Sequence, residues 1–212
     1  MRFLHSAAIT LLALFLQLTP LISYAQNSTP DNLIKSIIEN AARIMAEDPE
    51  ITAGNRKGAV ELTEKIVAPH FNFVRMTTIA VGKYWRMATP EQQNTLVTEF
   101  KTLLLYVYTS ILLNYKDYEI AVKPARMRQD DADTIIVRVE VKRAGTSQAL
   151  VIGLSFEKIA EEWKTYDISI DGISLISSYR ESFANEIKKS GIDGLIAALI
   201  KKNRELKQSA PL

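Results

Sequence analysis

The chain has 212 residues, with 26 Lys and Arg against 24 Asp and Glu, two histidines and no cysteine. So even a balance excludes a nucleic-acid partner of the ordinary kind, which needs a concentrated basic field. Without cysteine there is no disulfide, no thiol nucleophile and no Cys-containing zinc site, and the fold must rest on packing alone.

Residues 1–25 read as a secretory signal peptide: Arg2 supplies a positive start, Ala7 to Leu18 an apolar stretch, and Ser23-Tyr24-Ala25 a small-residue cleavage site. The apolar run is broken by Gln17, Thr19 and Pro20, which makes it short for a span of about 20 residues. A retained inner-membrane anchor is the competing reading. No cysteine follows the apolar stretch, so a lipid-anchored lipoprotein is excluded. Cleavage after Ala25 leaves 187 residues with 25 basic against 24 acidic side chains, enough for one domain over 26–206, with 207–212 as a polar, frayed tail. His5 leaves with the leader. His70, in Pro69-His70-Phe71, is then the one histidine left. A multi-histidine metal site cannot be built, and no G-x-S-x-G context surrounds His70, so it reads as a surface or loop residue.

From Asp31 to about Glu47, Leu33, Ile34, Ile37, Ile38, Ala41, Ile44 and Met45 recur at helical spacing. A second helix is predicted over Lys57 to Val67, ended by Pro69, and a short third over Val74 to Val81 before Gly82. Thr89-Pro90-Glu91-Gln92 is a start signal with a capping box and Pro at the first helical position. The helix it opens is expected to reach about Tyr115. Between Leu103 and Leu113 only Thr109 and Ser110 interrupt its hydrophobicity, so it must be covered on most sides.

The period then changes to two. Tyr118, Ile120 and Val122; Ile135, Val137, Val139 and Val141; Leu150, Ile152, Leu154 and Phe156; and Tyr166, Ile168 and Ile170 alternate with residues that are polar or small apart from Ile136 and Val151. Polar breaks separate the runs, which predicts a four-stranded antiparallel meander covered on one face. After Asp171-Gly172 the helical period returns through Tyr179, Phe183 and Ile187. Gly191 stops that helix, and Asp193 can cap a last one through Leu199 and Ile200. Helices, strands and helices again describe a single α+β domain: a curved antiparallel sheet with helices packed over one face.

If those helices pack tightly, the apolar face is core; if they stand off, it encloses an apolar pocket. Periodicity does not separate the two. The tyrosines of the long helix, Tyr106, Tyr108 and Tyr115, favour a pocket, because a hydroxyl fits a tight dry core less well than an aliphatic group.

Larger motifs sharpen the reading. Gly82-Lys83-Tyr84-Trp85-Arg86-Met87-Ala88-Thr89-Pro90-Glu91-Gln92 followed by Phe100, Trp163-Lys164-Thr165-Tyr166-Asp167, Asp171-Gly172-Ile173-Ser174-Leu175-Ile176 with Tyr179-Arg180 and Phe183, and Gly191-Ile192-Asp193-Gly194-Leu195 together resemble the MlaC family of toluene-tolerance, or periplasmic phospholipid-binding, proteins. The departures are small: Gln93 stands where the family commonly has Arg, and Ser178 where Asn is common. The resemblance implies an NTF2-like or cystatin-like sheet and a periplasmic carrier of glycerophospholipid, with acyl chains between sheet and helices. It implies as partners an outer-membrane lipoprotein–porin complex and an inner-membrane ABC transporter with MCE domains. No cofactor is expected beyond the phospholipid cargo.

The candidate pocket wall is the in-facing strand set Ile135, Val137, Val139, Ile152, Leu154, Phe156, Tyr166, Ile168 and Ile170. Leu104, Tyr108, Ile111, Leu112 and Tyr115 are the candidates from the long helix, and Ile173 and Ile176 from the stretch that leaves the sheet. Ordinary core packing is the competing reading for each. Trp85 is expected to anchor core while Lys83 and Arg86 stay solvated, and Arg180 to pair with Asp167 or Asp171 rather than with phosphate. An NTF2-like enzyme acting on a small hydrophobic substrate through Asp167 and Tyr166 is the alternative, but alternation sets that pair on opposite faces. An adaptor without a small ligand is the third reading.

Overall fold

The computed structural model describes residues 29–109, 118–128, 131–143, 145–146 and 148–208. The signal-peptide segment lies outside them, as do Ile111, Leu112 and Tyr115. No described helix is long and apolar enough to cross a membrane.

Helix α1 (Pro30–Glu47) begins on proline, whose missing N–H costs nothing at a first helical position. Asp48 then accepts from the amides of Glu50 and Ile51 and starts the single turn α2 (Pro49–Thr52). Asn55 caps α3 (Arg56–Ile66), and Asn72 caps α4 (Phe73–Val81). The expected capping box is present at α5 (Pro90–Tyr108): Thr89 Oγ1 accepts from the Gln92 amide at 3.2 Å, and Gln92 Oε1 from the Thr89 amide at 3.0 Å.

The strands are β1 (Tyr118–Val122), β2 (Arg126–Arg128), β3 (Asp131–Arg143), β4 (Ala149–Ile159), β5 (Glu162–Ile170) and β6 (Ile173–Ser174), all paired antiparallel in the order β1-β3-β4-β5-β6. Among the described residues the sheet therefore has six strands where alternation predicted four. β2 extends the β1 edge by pairing with β3 beyond Pro124, and β6 is a two-residue return against the end of β5. Neither is long enough to show a period. Helix α6 (Leu175–Gln208) follows directly. It is broken at Gly191, whose φ of 72° and ψ of −177° belong to a region essentially reserved for glycine. Asp193, the expected cap of the segment beyond, accepts instead from Gln92 Nε2 at 2.7 Å, tying the break in α6 to the start of α5.

Among the described residues two large apolar clusters form, and they share no residue. One is helical: Met76, Ala80 and Val81 of α4, Leu96, Phe100, Leu103 and Leu104 of α5, and Ile176, Phe183, Ile187, Leu195 and Leu199 of α6. The Phe100 ring meets those of Tyr179 and Phe183 edge-on at 5.0 and 5.1 Å. The other belongs to the sheet: Val137, Val139, Val141, Leu154 and Phe156 with Ile34 and Ile37 of α1. The helix over the sheet's apolar face is thus α1, assisted by Ile66 at the end of α3. None of the described α5 side chains joins that cluster. The described apolar side chains of α5 are covered by α3, α4 and α6 instead.

Candidate functional site

Strand register shows how the apolar face is built. Directly opposed residues share a face, so Val122, Val139, Ile152, Ile170 and Ile173 form one row across the sheet, and Val137, Leu154 and Ile168 the next. A third row sets Ile135 against Phe156 and Phe156 against Thr165. Burial is graded along this face. Val137, Phe156 and Thr165 are fully buried, whereas Ile152, Ile168 and Ile170 are half-buried. In the row beyond, Leu150 is 36 % exposed and Ile120 39 %, with Val141 buried between them, and at the β6 edge Ile173 is 69 % exposed. One continuous aliphatic surface therefore runs from under α1 out to solvent. The opposite face is polar and ion-paired, as with Lys123–Glu140 at 2.8 Å.

β5 carries a register shift opposite Ser155 and Phe156. Strict alternation puts Tyr166 in line with Ile168 on the apolar face. In the structure Thr165 takes the place opposite Phe156, and Tyr166 is the extra residue of the bulge. Its hydroxyl bonds Thr134 Oγ1 at 3.0 Å, and the Arg75 guanidinium lies 3.7 Å from its ring centre. Arg75 also pairs with Glu157, which accepts from Asn72 Nδ2 at 2.9 Å. Tyr166 is thereby bound into a polar clamp between α4 and the sheet. The Thr165 hydroxyl is buried with no hydrogen-bond partner among the described residues.

Leu104 is buried in the helical cluster and Ile176 is fully enclosed there. Tyr108 packs on the same cluster and bonds Tyr179; burial and that bond raise the Tyr179 hydroxyl well above the ordinary tyrosine range. These three do not adjoin the strand set. Ile135, Val137, Val139, Ile152, Leu154, Phe156 and Ile168 do come together, joined by Leu33, Ile34, Ile37 and Ile66. The α1 partners were visible as an apolar stripe, but nothing in a stripe says which sheet it covers.

A cleft of ≈ 460 Å³ opens between α1 and α3, lined by Leu33, Ser36, Ile37, Asn40, Arg43, Ile44, Lys65, Ile66 and His70. Burial lowers the His70 pKa, Lys164 lowers it further, and Glu162 opposes them. His70 is thereby biased toward its uncharged form. Trp85 is half-buried against the helical cluster while Lys83 and Arg86 are exposed, as expected. Arg180 donates from Nε to the Ile79 carbonyl at 2.9 Å, a third arrangement beside the two that the sequence offered. Asp167 accepts from Ser174 Oγ at 2.9 Å and from the Ile168 amide. No group of three or more His, Asp or Glu among the described residues is placed to hold a metal ion.

Comparison with known proteins agrees with this architecture. A solved phospholipid-binding protein from Ralstonia solanacearum, in complex with a phospholipid, superposes with a TM-score of 0.75 at 32 % identity, covering 85 % of this chain and 99 % of that one. The toluene tolerance protein ttg2D of Pseudomonas putida is 27 % identical over 192 residues, 90 % of this chain and 85 % of that protein. The intermembrane phospholipid transport system binding protein MlaC of Haemophilus influenzae is 23 % identical over 171 residues, 80 % of this chain and 76 % of that one. With residues 35–201 matching the family described as MlaC protein, the chain belongs to the MlaC family.

Proposed function

We propose that this protein is a periplasmic carrier that takes up a glycerophospholipid by its acyl chains and passes it between an outer-membrane lipoprotein–porin complex and an inner-membrane ABC transporter with MCE domains. The observation that carries the reading is the graded aliphatic face, buried at Val137 and Phe156 and open at Leu150 and Ile173. A surface that runs from under a helix out to solvent suits hydrocarbon that must be taken up and given back. The proposed contacts are Ile135, Val139, Ile152, Leu154, Ile168 and Ile170, with Val137 and Phe156 as the floor. The phospholipid in the Ralstonia solanacearum relative supports the assignment of cargo.

The need for such a face follows from the solubility of lipid. Two acyl chains expose on the order of 30 methylenes at about 0.8 kcal/mol each, roughly 25 kcal/mol gross, so transfer through water unaided is very slow. A protein face offering comparable burial cancels most of that cost. Release into plain water is slow for the same reason, which makes unloading dependent on a docked partner.

A carrier rather than an enzyme is also the reading the polar groups support. Asp167 and Tyr166, the pair that acid–base chemistry would use, are engaged with Ser174 and Thr134 respectively. Native mass spectrometry of protein purified from the periplasm, followed by organic extraction, tests the proposal. Added mass of one phospholipid is expected. A folded protein that never acquires lipid from membranes or vesicles refutes it.

A further inference from the structure

The cleft between α1 and α3 has a composition that the carrier role alone does not require. Its wall divides into an aliphatic part, Leu33, Ile37, Ile44 and Ile66, and a polar part with the cations Arg43 and Lys65. No carboxylate is among the lining residues. A volume of ≈ 460 Å³ falls within the range of about 300–1,000 Å³ usual for small-molecule sites. It is a concave, amphiphilic, net cationic place in a chain whose charges otherwise nearly cancel.

We propose that this cleft binds a phosphate anion, the phosphodiester of the carried lipid's head group, with Arg43 and Lys65 as its cationic contacts. The inference rests on the carrier reading and deepens it. Leu33, Ile37 and Ile66 line the cleft and also pack on the sheet's apolar cluster, so the two sites share a wall. A head group held on the polar side of that wall leaves its hydrocarbon adjoining the sheet face. Ser36 and Asn40, one turn apart on the α1 side, add hydrogen-bonding groups, and uncharged His70 can add one N–H. Arg43 meets Glu47 at 3.3 Å and Asn40 at 2.9 Å. Exposed helical pairs of this kind are weak, whereas guanidinium to phosphate is a strong, fork-shaped contact, so the anion displaces Glu47.

The test uses the full mature protein, the double variant Arg43→Gln with Lys65→Gln, and Lys35→Gln as a control on the same helix. All three positions are exposed, and circular dichroism confirms folding. Retention is measured for phosphatidylglycerol and for diacylglycerol with the same acyl chains, which lacks the phosphate. The double variant should hold phosphatidylglycerol about fivefold less tightly at low salt, with the gap closing as salt rises, and hold diacylglycerol unchanged. Equal loss of both lipids, or loss of neither, overturns the head-group role while leaving the carrier reading intact.

Inorganic phosphate titrated into wild type, followed by NMR at cleft amides, separates the two sources of phosphate. Shifts that a bound phosphatidylglycerol abolishes support the head-group site. Shifts that persist with lipid bound make it a site for free phosphate and overturn the proposal. Wild type that holds neither lipid refutes the carrier reading, and the absence of any phosphate shift then ends this one too.

Discussion

Replacing Ile168 with glutamate separates a cargo contact from a core contact. Ile168 is half-buried, opposite Leu154 on the aliphatic face. In the empty protein a glutamate there can turn its carboxylate to water, so folding loses only part of one apolar burial, about 1 kcal/mol. With acyl chains laid on the face, the same carboxylate has neither water nor a partner and must take up a proton. Protonating a group of ordinary pKa about 4.3 at pH 7 costs about 1.36 kcal/mol for each of about 2.7 units, or about 3.7 kcal/mol. Lipid affinity should therefore fall about 500-fold at pH 7.

The sign of the pH effect follows from the raised pKa in the loaded state. Binding is strongest below about pH 4.3 and weakens about tenfold per unit as pH rises from there to 7. Ile168→Gln should lose less affinity and show no such slope. Retention of fluorescent phospholipid between pH 5 and 7.5, with thermal melts of the empty proteins, measures both quantities. An Ile168→Glu protein that melts normally and holds lipid as wild type does at pH 7 refutes the placement of acyl chains on this face. Val137→Glu is the contrast: at a fully buried position the charge has no exit, and the protein should not fold.

Three further outcomes concern stability. Thr165→Val removes a buried hydroxyl that has no partner among the described residues, and should raise stability by about 1 kcal/mol and Tm by about 2–4 °C in calorimetry. A loss of stability there would mean that the hydroxyl is satisfied by water. Gly191→Ala should destabilise by about 1–3 kcal/mol in urea unfolding, and wholly through backbone strain, because an added Cβ meets nothing within 4 Å. His70 has its pKa lowered, mainly by burial, so its contribution is fully present above the unfolded value of about 6.5 and is lost as pH falls through the lower folded value. His70→Gln should flatten that part of the stability profile, and NMR titration of the imidazole checks the direction.

The sequence showed the strands that are long enough to have a period. Alternation in Ile135 to Val141, Leu150 to Phe156 and Ile168 to Ile170 marks the residues that share the sheet's apolar face. It failed at Tyr166 because a bulge consumes one residue without changing composition, and everything N-terminal of it in β5 reverses face. Thr165, read as outward, is fully buried for that reason. β2 and β6 escaped notice because three residues and two cannot display alternation.

The helices were legible one by one but not in their partners. The hydrophobicity of the long helix required cover on most sides; its described part, up to Tyr108, has that cover from α3, α4 and α6, and residues 110–113 lie outside the described residues. Tyr108 looked suited to a pocket mouth because its hydroxyl needs a partner. Tyr179 of α6 supplies that partner, from a position 71 residues further along the chain. The cleft with Arg43 and Lys65 was invisible for a similar reason: two cations on separate helices form a site only after the helices dock.

The separation of the two hydrophobic clusters bears on what emptying does to the molecule. Many proteins built around a greasy guest lose cohesion once the guest departs, since guest and core are the same contacts. Among the described residues of this chain, the aromatic knot of Phe100, Tyr179 and Phe183 and its aliphatic surroundings share no residue with the sheet cluster, so their contacts need no guest on the sheet to hold them. On the proposed carrier role, the empty protein is then expected to stay folded between one load and the next.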